Sequence, residues 1–232
     1  MTASLEDFEF VALQKADHYR SALLTEFSPF LAGHVLEVGA GIGQLSEMLL
    51  QKTDIERLIS VEPDARFAGR LRGMFPQLEI IQGTIDDVPA DVPIDAILSV
   101  NVLEHIEADG RELCSYRQRL AERRGTLCLF VPARPEIFSP IDRAFGHFRR
   151  YTRTELKNKL MASGFTARRL VYFNLLGYFA WWWNFHLLKK SNFAATQVQL
   201  FDRYIFPLQH RLEAKVMRPP IGMSLLAVAA PA

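Results

Sequence analysis

Three glycines at alternate positions, Gly39, Gly41 and Gly43, stand in the run Glu37-Val-Gly-Ala-Gly-Ile-Gly43. Glycines so spaced let a chain turn tightly and bring backbone N–H groups against a ligand with no Cβ in the way. Dinucleotide enzymes use a related loop, whose fingerprint asks for glycines at the first, third and sixth positions so that a pyrophosphate meets a helix N-terminus. The sixth position here is Gln44. The loop also opens on an acid, Glu37, whose carboxylate disfavours a pyrophosphate and accepts hydrogen bonds from an ammonium group. A second acid, Glu62, ends the next apolar run, where a carboxylate can accept from both hydroxyls of a ribose. Either glutamate alone reads as an ordinary surface carboxylate near a strand end. With the three glycines, the pair points to a cofactor that carries an amino-acid end.

These residues need rigid elements to hold them. His34-Val-Leu-Glu-Val38 reads as a short strand entering the glycines, and Gln44–Leu50 as the amphipathic helix leaving them. A second strand, Arg57–Val61, ends in Glu62-Pro63-Asp64, and Asp64 is a plausible cap for a helix over Ala65–Phe75. Strand Glu79–Gln82, turn 83–93, strand Ala96–Val100, helix Ala108–Glu122 and strand Thr126–Val131 continue the alternation. Five strands separated by helices imply a parallel sheet. Before this core, Phe10, Leu13, Tyr19, Leu23, Leu24 and Phe27 recur at helical spacing and predict one or two helices. After it, Pro132, Pro135 and Pro140 punctuate a loop to Tyr151, followed by a helix over Thr154–Ser163, a strand near Ala167–Phe173, a helical apolar insert and a last strand at Ser224–Ala229.

The 49% hydrophobic content of the 232 residues suffices for the core of one large α/β domain. The reading is a single domain over 1–232: N-terminal helices in 1–32, a cofactor-binding core in 33–131, a substrate-side loop and helical insert in 132–220, and the last strand in 221–232. A net charge of +1, from 27 basic and 26 acidic residues, supplies no global attraction for nucleic acid or an anionic membrane. Cys114 and Cys128 fall on a predicted helix and strand, so neither a disulfide nor a zinc site is expected, and no metal is assigned. A reducing cytoplasm is the expected compartment, since the N-terminus is acidic and lacks a secretory pattern. Leu170–Leu188 is largely apolar and holds Trp181, Trp182 and Trp183, but Asn174, Gly177, Asn184 and His186 interrupt it. The segment reads as buried or interfacial, with no transmembrane span.

The ordered runs Val35–Gly43, the acidic end of strand two, Gly83-Thr-Ile-Asp-Asp-Val-Pro89 and Ser99-Val-Asn-Val-Leu-Glu-His-Ile106 resemble the motifs of class I S-adenosylmethionine-dependent methyltransferases. Beyond them, Phe138–Thr152 and Gly222–Val228 resemble a bacterial subgroup of that family often associated with glycosyltransferase or natural-product gene sets. The resemblance implies a doubly wound, seven-stranded, mostly parallel sheet with a reversed last strand, helices on both faces and a helical cover on the substrate side. It implies S-adenosylmethionine as cofactor, its amino-acid end at Glu37, Gly39, Ala40 and Gly41 and its ribose at Glu62 and Pro63. Thr84, Ile85 and Asp86 would meet the adenine, and Asn101 with Val102 the methionine portion. Many relatives have Asp where this chain has Thr84. Tyr19 falls where similar proteins carry an aromatic that closes over the cofactor, or it is a core tyrosine.

Methyl transfer is an in-line displacement from a sulfonium, so alignment and exclusion of water matter more than covalent machinery. A protonated oxygen or nitrogen acceptor also gains from a general base, and His105 and His147 are the candidates. His105 follows Glu104 at the expected opening of the helix after strand four, and its plainer reading is a capping or supporting histidine. Arg149, Arg150 and Tyr151 are candidates for an anionic or sugar-phosphate acceptor, because arginine forks match phosphates; the plainer reading is a basic turn paired with Asp142 or Glu155. The expected partner is a small molecule, apolar, lipid-linked or sugar-phosphate, with peripheral membrane contact as a secondary expectation. A nucleic-acid acceptor is disfavoured by the neutral charge and by Asn101-Val-Leu-Glu104, which lacks the Pro-Pro-aromatic continuation. A cyclase-like reaction and a non-catalytic cofactor-binding subunit are the competing functions.

Overall fold

Apolar residues alternate between two sides along each central strand, and that alternation decides where the helices pack. The computed structural model describes residues 16–188, 195–215 and 218–232; the predicted helical positions Phe10 and Leu13 lie outside them. Helix α1 (Asp17–Phe27) leads into β1 (Gly33–Val38), α2 (Gln44–Leu49), β2 (Ile55–Glu62), α3 (Ala65–Met74), β3 (Glu79–Gln82) and β4 (Ala96–Val100). Then follow α4 (Asp109–Ala121), β5 (Thr126–Pro132), α5 (Pro140–Ala144), α6 (Arg153–Ala162) and β6 (Phe165–Phe173). Short helices α7 (Leu175–Trp181), α8 (Ala195–Leu200) and α9 (Phe206–Lys215) precede β7 (Ser224–Pro231).

The seven strands form one sheet in the order β3-β2-β1-β4-β5-β7-β6. The β1–β2, β1–β4, β2–β3 and β4–β5 pairs are parallel, while β7 runs antiparallel to both β5 and β6. The expected mostly parallel sheet with a reversed last strand is therefore present. Successive strand residues point to opposite faces. Leu36, Val38, Ile97, Leu127 and Leu129 form one core with Leu113, Tyr116 and Leu120 of α4 and Leu156 and Leu160 of α6. Val35, Ala96, Leu98, Cys128 and Phe130 form the other, with Leu23, Leu24 and Phe27 of α1 and Phe206 of α9. Helices thus cover both faces, as predicted.

Strand β1 has β2 on one side and β4 on the other, so the chain winds outward in opposite directions from this point. The crevice at the carboxyl ends of such strands is where open α/β sheets bind ligands. A third, smaller core of Ile137, Ile141, Trp181 and Phe185 fastens the start of the helical insert to the loop after β5.

Candidate active site

A cavity of about 590 Å³ opens at the carboxyl ends of β1, β2 and β4, within the range of small-molecule sites. The loop from β1 to α2 forms one wall. The N–H groups of Gly39 and Ala40 both donate to the Val61 carbonyl, at 2.9 and 3.2 Å, which ties the loop to the end of β2. Gly39 adopts φ +75°, and a Cβ there would stand 2.3 Å from Cγ2 of Val102, so both conformation and space require glycine.

Glu62 closes the same wall. Its Oε2 accepts the Gly41 N–H at 2.7 Å and its Oε1 the Asp64 N–H at 2.9 Å. Burial raises the Glu62 carboxyl above its ordinary range, against the pull of these two amides. Glu37 lies deeper, 3% exposed, with Oε2 accepting from Ser46 Oγ and Ser60 Oγ, each at 2.6 Å. Burial pushes its carboxyl up to about 7; the two hydroxyls oppose the shift, and the negative charge of Glu62 adds to it.

Asn101 and Val102 border the cavity from the end of β4. Asn101 takes φ +53°, with its N–H donating to Phe130 at 2.9 Å. Asn is among the few side chains that visit this left-handed region readily. His105 also borders the cavity, from a single 3-10 turn, Leu103–His105, that precedes α4. The predicted helix opening at this position is corrected to that turn, with α4 starting at Asp109. Burial, and after it the neighbouring His147, push the His105 imidazole down to about 4, so it is neutral at physiological pH.

Of the residues singled out from sequence, Glu37, Gly39, Ala40, Gly41, Glu62 and Pro63 converge on the cavity, as do Thr84, Asn101, Val102 and His105. Ile85 is buried in the core behind it. The Asp86 side chain is largely exposed, 3.3 Å from Ser115 Oγ and 3.7 Å from the Arg111 guanidinium. Tyr19 packs against Phe130, Phe173 and Phe206 with ring centroids 5.1 to 6.2 Å apart, the arrangement of a core tyrosine. Arg150 is sealed in with Asp142, its Nε 2.8 Å from Oδ1. Arg149 reaches Asp109 at 2.7 Å and the Glu107 carbonyl at 2.9 Å. The hydroxyl of the fully buried Tyr151 contacts the Leu103 carbonyl at 3.2 Å and Asp109 at 3.0 Å. Arg149 and Tyr151 thus fasten the loop after β5 to the stretch from the Leu103 turn to the start of α4, while Arg150 ties that loop to Asp142 and to the Ala133 carbonyl. Burial of their polar ends is the reason.

His147 sits behind His105, the two rings edge to face with centroids 4.6 Å apart. Its Nδ1 lies 3.3 Å from Asp142 Oδ1. Burial alone would raise the Asp142 carboxyl, but His147 and Arg150 outweigh it and hold it below the usual range. Glu104, with its side chain fully enclosed, joins the two histidines. Phe67, Glu112 and Phe145, which also border the cavity, carry no sequence signal distinct from helix and loop composition.

Residues 35–125 match the methyltransferase domain family. That match and the order of the sheet give the chain the Rossmann-like fold of class I S-adenosylmethionine-dependent methyltransferases. The family match and the shared fold imply S-adenosylmethionine as the cofactor. Its fold is similar to that of an S-adenosylmethionine-dependent methyltransferase from Mesorhizobium loti, at TM-score 0.60 and 17% identity over 90% of this chain and 96% of that one. An S-adenosylmethionine-dependent methyltransferase from Archaeoglobus fulgidus gives 0.60 and 16% over 95% and 94%. A structure of the complex between the Haloferax volcanii Trm112 methyltransferase activator and a methyltransferase gives 0.63 and 17% over 94% and 91%. No curated protein matches the chain in sequence.

Proposed function

We propose that the chain transfers the methyl group of S-adenosylmethionine to a small-molecule acceptor, with oxygen as the atom methylated. The observation that carries this reading is one cavity bordered by Glu37, Glu62 and His105 together. The residues present suit the cofactor. Gly39, whose Cβ would fill the space beside Val102, leaves the loop open to a close-lying ligand. Glu37 would hold the ammonium end with Gly39, Ala40 and Gly41, Glu62 the ribose hydroxyls beside Pro63, Thr84 the adenine side, and Asn101 with Val102 the methionine portion. When bound, the sulfonium supplies an electrophilic methyl group.

The chain's own part is to align and desolvate. An acceptor hydroxyl beside His105 would pass its proton to that imidazole as its oxygen takes the methyl group that the sulfonium, becoming a neutral thioether, would supply. His105 faces the acceptor with a neutral imidazole, and His147, aligned by Asp142, sets its position. Calorimetry with S-adenosylmethionine and with its demethylated product tests binding; mass spectrometry of metabolite pools for a gain of one CH₂ tests turnover. If neither ligand binds, the reading fails. Binding without a methylated product would favour the cyclase-like or non-catalytic alternatives.

A second feature favours an apolar or lipid-linked acceptor met at a membrane surface. Phe179, Trp182, Trp183, Tyr204, Leu208 and Leu212 of the helical cover are all exposed. Among the described residues of that cover, the exposed charges are Arg203, Arg211 and Arg218, the last beside Glu26. The two acids are buried: Asp202 accepts the His18 and Tyr19 N–H groups, and Glu213 those of Asn174 and Leu175. Aromatic and aliphatic side chains rimmed by arginine suit an anionic lipid surface. No helix among the described residues is long and apolar enough to cross a membrane. Flotation with anionic vesicles is expected for the wild type and reduced by Trp183→Ser with Leu208→Ser. No flotation of either removes the membrane reading.

A further inference from the structure

The Glu104, His105 and His147 cluster does more than place one imidazole beside the cavity. Each of the three offers a ligand atom, and these atoms lie within 4.8 Å of one another. The juxtaposition is held from several directions. The Phe148 N–H donates to the Glu104 carbonyl at 2.8 Å, which pins the residue after His147 to the turn that bears the other two. Tyr151 adds a second tie to that turn through the Leu103 carbonyl.

The outer residues fix the imidazole as well. His147 is nearly enclosed, its side chain 6% exposed, and its Nδ1 faces Asp142 Oδ1 at 3.3 Å. Asp142 cannot turn away, because its Oδ2 accepts both the N–H and the Oγ–H of Ser139 at 2.8 Å while Arg150 holds Oδ1. With Nδ1–H donated to a carboxylate, Nε2 is the remaining lone pair. A carboxylate behind a histidine is the arrangement by which proteins orient metal-binding imidazoles and raise their basicity. Glu104 supplies a carboxylate at 0% exposure, within ligand distance of both imidazoles.

We infer that Glu104, His105 and His147 form a two-histidine, one-carboxylate site for a divalent first-row transition metal ion that opens on the cavity at His105. Two imidazoles and one carboxylate suit manganese, iron, cobalt or zinc better than magnesium or calcium, which take oxygen donors. Three protein ligands leave coordination positions for water or for an acceptor oxygen. The ion's catalytic use rests on the methyl-transfer reading; its binding does not. A hydroxyl bound to the ion loses its proton to water more readily, its oxygen forms the O–CH₃ bond, and the carbon–sulfur bond breaks to the thioether.

The full chain is stripped with a chelator and titrated with Co²⁺, read by visible absorption, and with Zn²⁺, read by calorimetry. S-Adenosylmethionine binding is measured separately on each sample, and circular dichroism checks the fold. One Co²⁺ per chain is expected for the wild type, with affinity lowered at least about tenfold in His105→Asn, His147→Ala and Glu104→Gln. His105→Asn changes a residue at the cavity border, so it reports even if the two enclosed positions do not tolerate change. No Co²⁺ uptake by the wild type, or wild-type affinity in His105→Asn, overturns the inference and leaves the cofactor reading intact. Metal binding of the expected pattern without any S-adenosylmethionine binding supports the site and removes the methyl-transfer role.

Discussion

Glu62 Oε2, at the end of β2, accepts the N–H of Gly41 in the loop after β1 at 2.7 Å, beside the cavity. One carboxylate therefore shapes the glycine loop before any ribose arrives, and the same group is the proposed ribose acceptor. Glu62→Ala should weaken S-adenosylmethionine binding more than a lost ribose contact alone would. Hydrogen bonds to a charged group contribute about 1.5–3 kcal/mol, which corresponds to roughly ten- to hundredfold in Kd per contact. Glu62→Gln keeps one acceptor oxygen and should fall between the wild type and Glu62→Ala. Calorimetric Kd values that do not change in either variant would remove Glu62 from the site.

Glu37 gives a pH dependence with a definite sign. Its carboxyl is raised from the ordinary 4.5 to about 7 in the folded chain. Between these values the folded state holds a proton that the unfolded state has released. The associated stability is thus fully present below pH 4.5 and lost as pH rises through about 7. At 1.36 kcal/mol per unit, the shift amounts to about 3 kcal/mol. Urea denaturation of the wild type and Glu37→Gln across pH 5 to 7.5 should show the variant gaining relative stability as pH rises. A bound ammonium favours the ionised carboxylate, so cofactor binding near pH 6 should release a proton, detectable by calorimetry in buffers of different ionisation enthalpy. Glu37→Gln should abolish that release.

Gly39 separates space from conformation. A Cβ there lies 2.3 Å from Val102 Cγ2, and the backbone is at φ +75°. Gly39→Ala should destabilise the fold through both terms. Adding Val102→Ala removes the clash and leaves the left-handed strain, about 1–2 kcal/mol. The double variant should therefore be more stable than the sum of the singles, a coupling readable by chemical denaturation. Strict additivity would mean that the loop moves aside freely.

The strand-loop-helix around Gly39, Gly41 and Gly43 and the five alternating strands were legible in sequence because buried parallel strands read as short apolar runs and glycine spacing is local. The acceptor side was not. His105 sits on a single 3-10 turn, Leu103–His105, and not at a helix opening, because Val102 to Ala108 carries no cap signal that a pattern could register. Arg149, Arg150 and Tyr151 look like an exposed basic turn in one dimension. Their burial depends on Asp142 and Asp109 reaching them through the tertiary fold. Glu104 and His147 lie far apart in the chain, and only the folding of the loop after β5 over the end of β4 joins them.

Asp142 and Arg150 supply a stability test of that loop. The pair is fully enclosed, with Arg150 Nη2 2.7 Å from Asp142 Oδ1, and Ser139 and His147 share the same carboxylate. Removing one partner leaves an uncompensated buried charge, which costs about 3–5 kcal/mol, whereas replacing both with apolar side chains of similar volume is often near neutral. Asp142→Leu and Arg150→Met should each lower the unfolding free energy strongly, and the double variant should recover much of the loss. The double variant nevertheless lacks the carboxylate behind His147, so its acceptor turnover should remain low while S-adenosylmethionine binds with nearly unchanged Kd. Full recovery of both stability and turnover would show that the carboxylate serves packing alone and that His147 needs no alignment from Asp142.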